Sequence, residues 1–259
     1  MNSSVLTVNV GNTNVSVALC TATAAGVEVC RLAAWPTRDW LAREPGTRSG
    51  WLQVLKQGQA TEVLVCCVVA AVEPVLAEWT SDAGVPCRFA RHTDLPLRYA
   101  VPAPERVGMD RLINCSAAWR RFSRSCLIVD MGTAVTWDLV LATGDQEGLG
   151  EGVFAGGVIA PGLDTLAHAL PSRTKLPFVE PIAVDTVVGR DTEACLRAGL
   201  WFGFLAQVDG IINRIEASLP EPPMTILTGG SAFLVAPHLA TPHPVFPDLT
   251  HEGLAFLQK

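Results

Sequence analysis

L-I-V-D-M-G-T-A-V-T-W-D-L-V-L, at residues 127–141, contains the pattern from which the fold of this chain is predicted. Its apolar start predicts a buried strand, and the β-rich run after the turn predicts a second strand. Asp130 stands at the end of the first strand, and Gly132 and Thr133 stand in the turn. Glycine lets a phosphate approach the backbone, threonine donates hydrogen bonds, and aspartate can hold a cation. The hairpin therefore suits phosphate and metal binding.

The same pattern occurs near the N-terminus, in L-T-V-N-V-G-N-T at residues 6–13. The two turn glycines, Gly11 and Gly132, are 132 − 11 = 121 positions apart, close to half of the 259 residues. Either turn alone is also compatible with an ordinary hairpin, because glycine-rich and asparagine-rich hairpins are common. The repeated unit instead predicts two similar halves that bind phosphates between them.

The length of the chain suits two domains of ~130 residues, which we expect at residues 1–122 and 123–259. The composition, 49% hydrophobic and 17% charged, is sufficient for a sizeable core. The net charge is −6 and there is no basic run, so nucleic acid is not expected as a partner. No membrane span is expected either, since no window reaches ~18 uncharged apolar residues. The N-terminus lacks the pattern of a targeting segment, and a cytoplasmic protein is therefore expected.

Cysteine and histidine show no metal-binding spacing. The eight cysteines form no C-x-x-C pair, and free thiols in a reducing cytosol are the expected state. We interpret all five histidines as structural residues: His92, His168, His238, His243 and His251.

A proline-rich segment at residues 95–111 is expected to be extended and to end at a helix covering residues 111–122. Tyr99 and the group G-M-D-R at 108–111 would then lie in a loop at the mouth of that helix. An acid and an arginine side by side at a helix start can serve as a base and an anion clamp. The alternative is an ordinary charge pair on the helix surface.

The longest predicted helix covers residues 192–218, with Thr192 either as its N-cap or as a ligand contact. One face of this helix carries apolar and small residues, which predicts core packing or a dimer contact. That face consists of Leu196, Gly199, Leu200, Gly203, Phe204 and Val208.

Taken in order, the motifs of this chain resemble one family, the type III pantothenate kinases of the acetate kinase/sugar kinase/Hsp70/actin superfamily. The matching pieces are V-N-V-G-N-T at 8–13, Tyr99, G-M-D-R at 108–111, D-M-G-T-A-V-T-W-D at 130–138, G-G-V-I-A-P-G at 156–162, A-L-P-S-R-T-K-L-P at 169–177, G-R-D-T at 189–192, T-G-G at 228–230 and P-D-L-T-H-E-G-L at 247–254. The resemblance implies an α/β fold of two tandem ribonuclease-H-like (actin/Hsp70-type) halves with an active-site cleft between them.

The resemblance also implies an activity and a set of partners. The expected reaction is the ATP-dependent phosphorylation of pantothenate to 4′-phosphopantothenate, the first step of coenzyme A biosynthesis. The expected enzyme is a homodimer that uses Mg²⁺ together with K⁺ or NH₄⁺.

Residue roles follow from the resemblance position by position. Asp110 is similar to the general base of the family. The pantothenate site would be formed by Tyr99, Gly108, Met109, Asp110, Arg111 and Thr192. Asp130 would be the ligand of the monovalent cation. The ATP contacts would be Thr133 and the first hairpin, comprising Asn9, Val10, Gly11, Asn12, Thr13, Asn14, Val15 and Ser16.

Position 9 departs from the family pattern, which usually has D-x-G-N-T in the first hairpin. Asn9 can offer a carbonyl oxygen to a cation or a water, but it contributes no negative charge. One alternative is therefore a catalytically impaired relative that binds pantothenate or a nucleotide, or that regulates. A kinase of another small hydroxyl substrate is disfavoured, because Tyr99, G-M-D-R and Thr192 all match the pantothenate pattern.

Overall fold

The structure, a computed structural model, describes residues 4–24, 26–143 and 151–258. The chain folds into two compact units. Unit 1 comprises Met1–Arg121 and Asp248–Lys259, and unit 2 comprises Phe122–Pro247.

The described residues contain ten strands and eight α-helices. The strands are β1 (Ser4–Val10), β2 (Asn14–Thr23), β3 (Gly26–Pro36), β4 (Val63–Cys67), β5 (Cys87–Phe89), β6 (Leu97–Tyr99), β7 (Cys126–Met131), β8 (Ala134–Thr143), β9 (Glu151–Pro161) and β10 (Met224–Thr228). The helices are α1 (Thr37–Leu41), α2 (Pro45–Gln57), α3 (Glu73–Ser81), α4 (Met109–Phe122), α5 (Leu163–Arg173), α6 (Thr192–Ala217), α7 (Ala232–Val235) and α8 (Leu249–Ala255).

The two units repeat one arrangement of strands. In unit 1 the order β3-β2-β1-β4 joins an antiparallel hairpin and a third antiparallel strand to a parallel strand. In unit 2 the order β9-β8-β7-β10 has the same directions. The pairing of the second strand with the third also shifts register once in each unit, because β3 and β9 each contain one extra residue. This repeat confirms the predicted α/β fold of two tandem halves.

The core of unit 1 lies under β1, which is buried along most of its length. Three fully buried tryptophans pack there, and the Trp40 ring lies 5.7 Å from Trp51 and 5.1 Å from Trp79. Pro45 separates α1 from α2, because it occupies the first helical position of α2, where its missing N–H is not needed.

The C-terminal segment differs from the expected division of the chain. Residues 248–259 were assigned to the second half, whereas the structure groups them with unit 1. Helix α8 packs closely on α4: a Cβ added to Gly253 would lie 2.5 Å from Ile113 Cγ2. The buried hydroxyl of Thr250 also donates to Asn114 Oδ1 at 2.8 Å. These contacts depend on the tertiary fold, so local sequence patterns do not reveal them.

Helix α6 forms much of the core of unit 2. Its face with Trp201, Phe204, Val208 and Ile212 is buried in the same cluster as residues of β7 and β8. Among the helices that the structure describes, α6 is the one long and apolar enough to cross a membrane, with 33% of its most apolar window buried. Core packing is sufficient to explain the apolar residues on its buried face.

Candidate active site

The turn of the first hairpin is fixed by backbone hydrogen bonds and by one threonine. Gly11 N donates to Asn14 O at 2.9 Å and closes the turn. Thr37, at the start of α1, donates from its backbone N to Thr13 O at 2.8 Å and from Oγ1 to Gly11 O at 2.7 Å. Since Thr37 is itself buried, the position of the turn is set by the core of unit 1.

Asn9 carries a polar atom that the protein leaves unsatisfied. Its Oδ1 is buried and has no hydrogen-bond partner among the residues that the structure describes. Ser16 is the Cα partner of Asn9 across the antiparallel pair of β1 and β2, so the two side chains share one face. A buried carbonyl oxygen without a donor costs about 1–3 kcal/mol. Asn9 Oδ1 therefore suits a cation or a bound water as its partner.

A cavity of about 280 Å³ lies within unit 1 and is bordered by Cys67, Gly108 and Met109. Cys67 is the parallel partner of Val10, and Val68 N donates to Val10 O at 3.1 Å. The cavity therefore opens at the carboxyl ends of β1 and β4, the edge from which the Gly11 turn also leaves. Ligands of α/β proteins commonly bind at this edge of a sheet.

Asp110 lies in the first turn of α4, with its carboxylate against the backbone of the G-M-D-R group. Its Oδ1 accepts a hydrogen bond from Arg111 N at 2.8 Å. A Cβ at position 108 would approach the same oxygen to 2.7 Å, so Gly108 provides the space for the carboxylate. The N-terminus of a helix also favours a negative charge. The helix begins at Met109, two residues before the predicted start.

Tyr99 is half-buried beside His92. Its hydroxyl donates to the backbone O of His92 at 2.5 Å, and the two rings meet edge to face at 5.8 Å. Burial is the largest cause that raises the pKa of Tyr99 to about 12. At neutral pH Tyr99 is therefore a protonated phenol. Its proton lies in the hydrogen bond to His92 O, and the phenol oxygen can accept a hydrogen bond from another group.

Asp130, in unit 2, lies under a glycine turn. It is the parallel partner of Thr228, the last residue of β10. Gly229 follows with φ of +92°, and a Cβ there would collide with Asp130 Oδ1 and Met131 N. Only glycine combines this backbone angle with so close an approach. The T-G-G turn therefore packs directly on the end of β7.

The turn of the second hairpin resembles the first. Gly132 N donates to Ala134 O at 2.9 Å. The backbone O of Thr133 accepts from Gly162 N at 3.0 Å and from Thr165 Oγ1 at 2.6 Å. These bonds hold the turn against the start of α5.

Thr192 is the first residue of α6, and the prediction that it could be the N-cap is wrong. The cap is Asp191, whose Oδ1 accepts from Ala194 N at 2.8 Å. A carboxylate is favoured at this position, because it accepts hydrogen bonds from the free N–H groups and its negative charge interacts favourably with the helix dipole. Thr192 is thus not needed for capping.

The structure brings the predicted residues together in two groups. Unit 1 holds the first hairpin, Tyr99 and the G-M-D-R group, whereas unit 2 holds Asp130, Thr133 and Thr192. Within the described residues, no three His, Cys, Asp or Glu side chains form a metal-binding group. Any cation held there would therefore be coordinated largely by carbonyl, hydroxyl, phosphate or water oxygens.

Comparison with known proteins identifies the family. A profile of the family described as type III pantothenate kinase matches residues 5–214. The chain belongs to the type III pantothenate kinase family.

Its relatives in that family include full-length matches. A type III pantothenate kinase of Moorella thermoacetica is 33% identical over 258 residues, 96% of each chain. One of Syntrophotalea carbinolica is 41% identical over 166 residues, which are 64% of this chain and 61% of that protein. Among solved structures, a Baf-family protein of Campylobacter jejuni has a TM-score of 0.60 at 14% identity, covering 98% of this chain and 96% of that one. This last likeness concerns the fold alone.

Three residues that shape the candidate site have no functional role predicted from the sequence. Thr37 holds the first turn, Gly229 makes room for Asp130, and His251 contacts Ser16. The T-G-G motif was a signal for Gly229, although not for its contact with Asp130. The motif P-D-L-T-H-E-G-L at 247–254 was a signal for His251, although not for its contact with Ser16. Thr37 gave no local signal, because its partners lie on another element.

Tyr99 is the one tyrosine of the chain, so its ionisation can be measured without a mutant. Burial disfavours the phenolate, and the absorbance change near 295 nm is therefore expected at a midpoint of about 12 in the folded protein. In denaturant the midpoint should fall to ~10. Circular dichroism would define the pH range in which the fold persists, and Tyr99→Phe should abolish the signal. A midpoint near the denatured value in folded protein would contradict the buried, hydrogen-bonded position.

Proposed function

We propose that this chain transfers the γ-phosphoryl group of ATP to the primary hydroxyl of pantothenate, which yields 4′-phosphopantothenate, the first step of coenzyme A biosynthesis. The family match supports this reaction. The observation that carries the proposal is the arrangement of Asp110. Its carboxylate is held against Gly108, beside a cavity of a size suited to part of a small substrate.

Phosphoryl transfer requires chiefly in-line positioning and neutralisation of charge. Asp110 would accept the proton of the pantothenate hydroxyl as general base. Arg111 would hold an anionic group of the substrate, since a guanidinium binds carboxylate and phosphate in two-point geometry. Tyr99, Gly108 and Met109 would line the pantothenate site, and Thr192 would be a further pantothenate contact.

The hairpins would bind ATP. In the first hairpin the residues from Asn9 to Ser16 would contact the nucleotide, and in the second hairpin Thr133 would do so. Asp130 would hold K⁺ or NH₄⁺ as its counter-charge. When bound, Mg²⁺ and the monovalent cation would neutralise negative charge on the phosphates. The unsatisfied Oδ1 of Asn9 and the oxygen-rich turn at Asp130 fit such hard cations.

A cytoplasmic homodimer is part of the proposal. Several apolar side chains of unit 2 are exposed in the single chain, among them Phe178, Ile182, Val187 and Val188. Gly199 and Gly203 of α6 also have open space where a Cβ would point. Exposed apolar side chains and small residues on an open helix face both allow close contact with a second copy.

The competing function is binding without turnover. The observation that favours it is Asn9, which is neutral where the family usually has an acid. Coupled measurement of ADP release with and without pantothenate, at varied Mg²⁺ and K⁺, distinguishes the two functions. Release that depends on pantothenate supports the kinase, whereas saturable nucleotide binding without release supports the binder.

Asp110→Asn should reduce turnover by about 10²–10⁴-fold, because the amide cannot accept the substrate proton. Binding of ATP, followed by calorimetry, should remain close to wild type. Asp82→Asn is a matched control, since Asp82 is an exposed carboxylate paired with Arg48. Near-normal turnover of Asp110→Asn would remove this residue from the mechanism.

The dimer is tested by light scattering at micromolar concentration, where we expect twice the mass of one chain. Gly199→Leu should shift the protein towards monomer, because the larger side chain would obstruct a second copy at this surface. The substitution has room within its own chain, since no heavy atom lies within 4 Å of a Cβ added at position 199. Gly46→Leu, at an equally open helical position of α2, should leave the mass unchanged. A wild-type monomer would contradict the proposal.

Asn9→Asp should lower the Mg²⁺ concentration needed for half-maximal rate. Two unit charges ~4 Å apart interact by about 4 kcal/mol at an effective dielectric of 20. The net gain should be much smaller, because the carboxylate must be desolvated near phosphate oxygens of like charge. This prediction is tested by measuring the initial rate against Mg²⁺ concentration for the wild type and for Asn9→Asp. Identical curves would show that the residue at position 9 does not affect metal binding. Two inactive proteins would favour the function of binding without turnover.

A further inference from the structure

His251 of α8 forms a buried polar cluster behind the first hairpin. The side chain is 3% exposed. Its Nδ1 lies 2.8 Å from Thr7 Oγ1 on β1, and its Nε2 lies 3.0 Å from Ser16 Oγ on β2. Thr7 and Asn9 are two residues apart on β1 and therefore share a face, so α8 lies behind the same face that carries Asn9.

The direction of the first bond follows from Thr7. The Thr7 hydroxyl donates to Ala18 O at 3.2 Å, and a backbone carbonyl can only accept. Thr7 Oγ1 also lies 3.3 Å from Cys20 Sγ. We place the single hydroxyl proton in the bond to Ala18 O, so that Thr7 Oγ1 accepts from His251 and Nδ1 carries a proton. The nearby Cys20 thiol is directed at the backbone O of His251, at 3.6 Å.

The direction of the second bond follows from the charge of His251. Burial lowers the pKa of the imidazole to about 4, so the ring is neutral at pH 7. A neutral ring with a proton on Nδ1 has a lone pair on Nε2. Ser16 consequently donates its proton to Nε2, and its Oγ can only accept from any other group.

The same hydrogen-bond polarity occurs in unit 2. Thr136 is the antiparallel partner of Asp130, as Ser16 is of Asn9. The Thr136 hydroxyl donates to the buried carboxylate of Asp138 at 2.7 Å. In both hairpins, a hydroxyl opposite the last polar residue of the first strand has its proton drawn away by a buried acceptor.

We propose that His251 is a positioning residue for nucleotide binding: by accepting the Ser16 proton, it makes Ser16 Oγ and Asn9 Oδ1 a pair of acceptors for water molecules bound to the Mg²⁺ of Mg²⁺–ATP. Phosphate oxygens are acceptors and would be repelled by such a pair, whereas metal-bound water is a strong donor. The inference rests on the proposed function, because it assumes that a metal–nucleotide binds at the first hairpin.

Two substitutions of His251 separate polarity from packing. His251→Gln places an amide oxygen near the position of Nε2 and can still accept from Ser16. His251→Asn keeps a donor near Nδ1 but does not reach Ser16. We expect His251→Asn to weaken Mg²⁺–ADP binding about tenfold, the size of one ordinary hydrogen bond. His251→Gln should stay within about threefold of wild type, and binding of ADP in EDTA should change little in either variant.

Calorimetry with Mg²⁺–ADP and with ADP in EDTA measures both affinities. Glu252→Gln is the structural control, because it removes the ion pair of α8 with Arg121 without contacting Ser16. If the His251 variants fail to fold, Ser16→Ala should show the same Mg²⁺-specific loss. Nitrogen-15 NMR of the histidine rings gives a readout without nucleotide, and the protein should show His251 protonated on Nδ1.

Several results would overturn the inference. They are a proton on Nε2, equal effects of His251→Asn, His251→Gln and Glu252→Gln, or equal losses with and without Mg²⁺. Absence of Mg²⁺-dependent nucleotide binding in the wild type would overturn it as well. Mg²⁺-dependent binding with the expected variant pattern but without phosphoryl transfer would overturn only the kinase proposal.

Discussion

One backbone hydrogen bond in each hairpin, from Gly11 N to Asn14 O and from Gly132 N to Ala134 O, fixes the geometry on which the candidate site depends. Each bond is 2.9 Å long and closes a turn directly after the first strand of its unit. Because the strands before the turns are buried, the turns cannot move without disturbing the cores. The side chains just before them, Asn9 and Asp130, are therefore held at a fixed edge of each sheet.

The side chains just before the two hairpin turns differ in charge. Asp130 provides a carboxylate, and Asn9 provides a neutral carbonyl oxygen that no described group satisfies. Burying a second carboxylate would cost desolvation energy before a metal is bound, whereas an amide costs only one unmade hydrogen bond. If Mg²⁺–ATP binds at the first hairpin as proposed, Asn9 would lower the metal affinity while sparing the free protein this desolvation cost. The family membership, with Asp110 and Arg111 both retained, supports turnover despite this change.

Local pattern was sufficient to predict most of the fold. Alternating and continuous apolar runs predicted β1, β2, β7 and β8, and the repeat of the glycine turns predicted two halves. The return of α8 to unit 1 was not predictable in this way. His251 reaches Thr7 across 244 positions of sequence, and periodicity carries no information about such a contact. From the sequence, His251 is interpreted only as a structural residue. Its proposed effect on the hydrogen bond of Ser16 depends on its contacts with Thr7 and Ser16 in the structure.

Phosphoryl transfer from ATP to pantothenate is the reaction proposed for this chain. Phosphorus-31 NMR of the protein with ATP, Mg²⁺, K⁺ and pantothenate measures this transfer directly. Phosphoryl transfer to pantothenate predicts a new phosphomonoester resonance that grows as the γ-phosphate signal of ATP declines, and that is absent without pantothenate. An unchanged ATP spectrum, or the appearance of free phosphate alone, would contradict it.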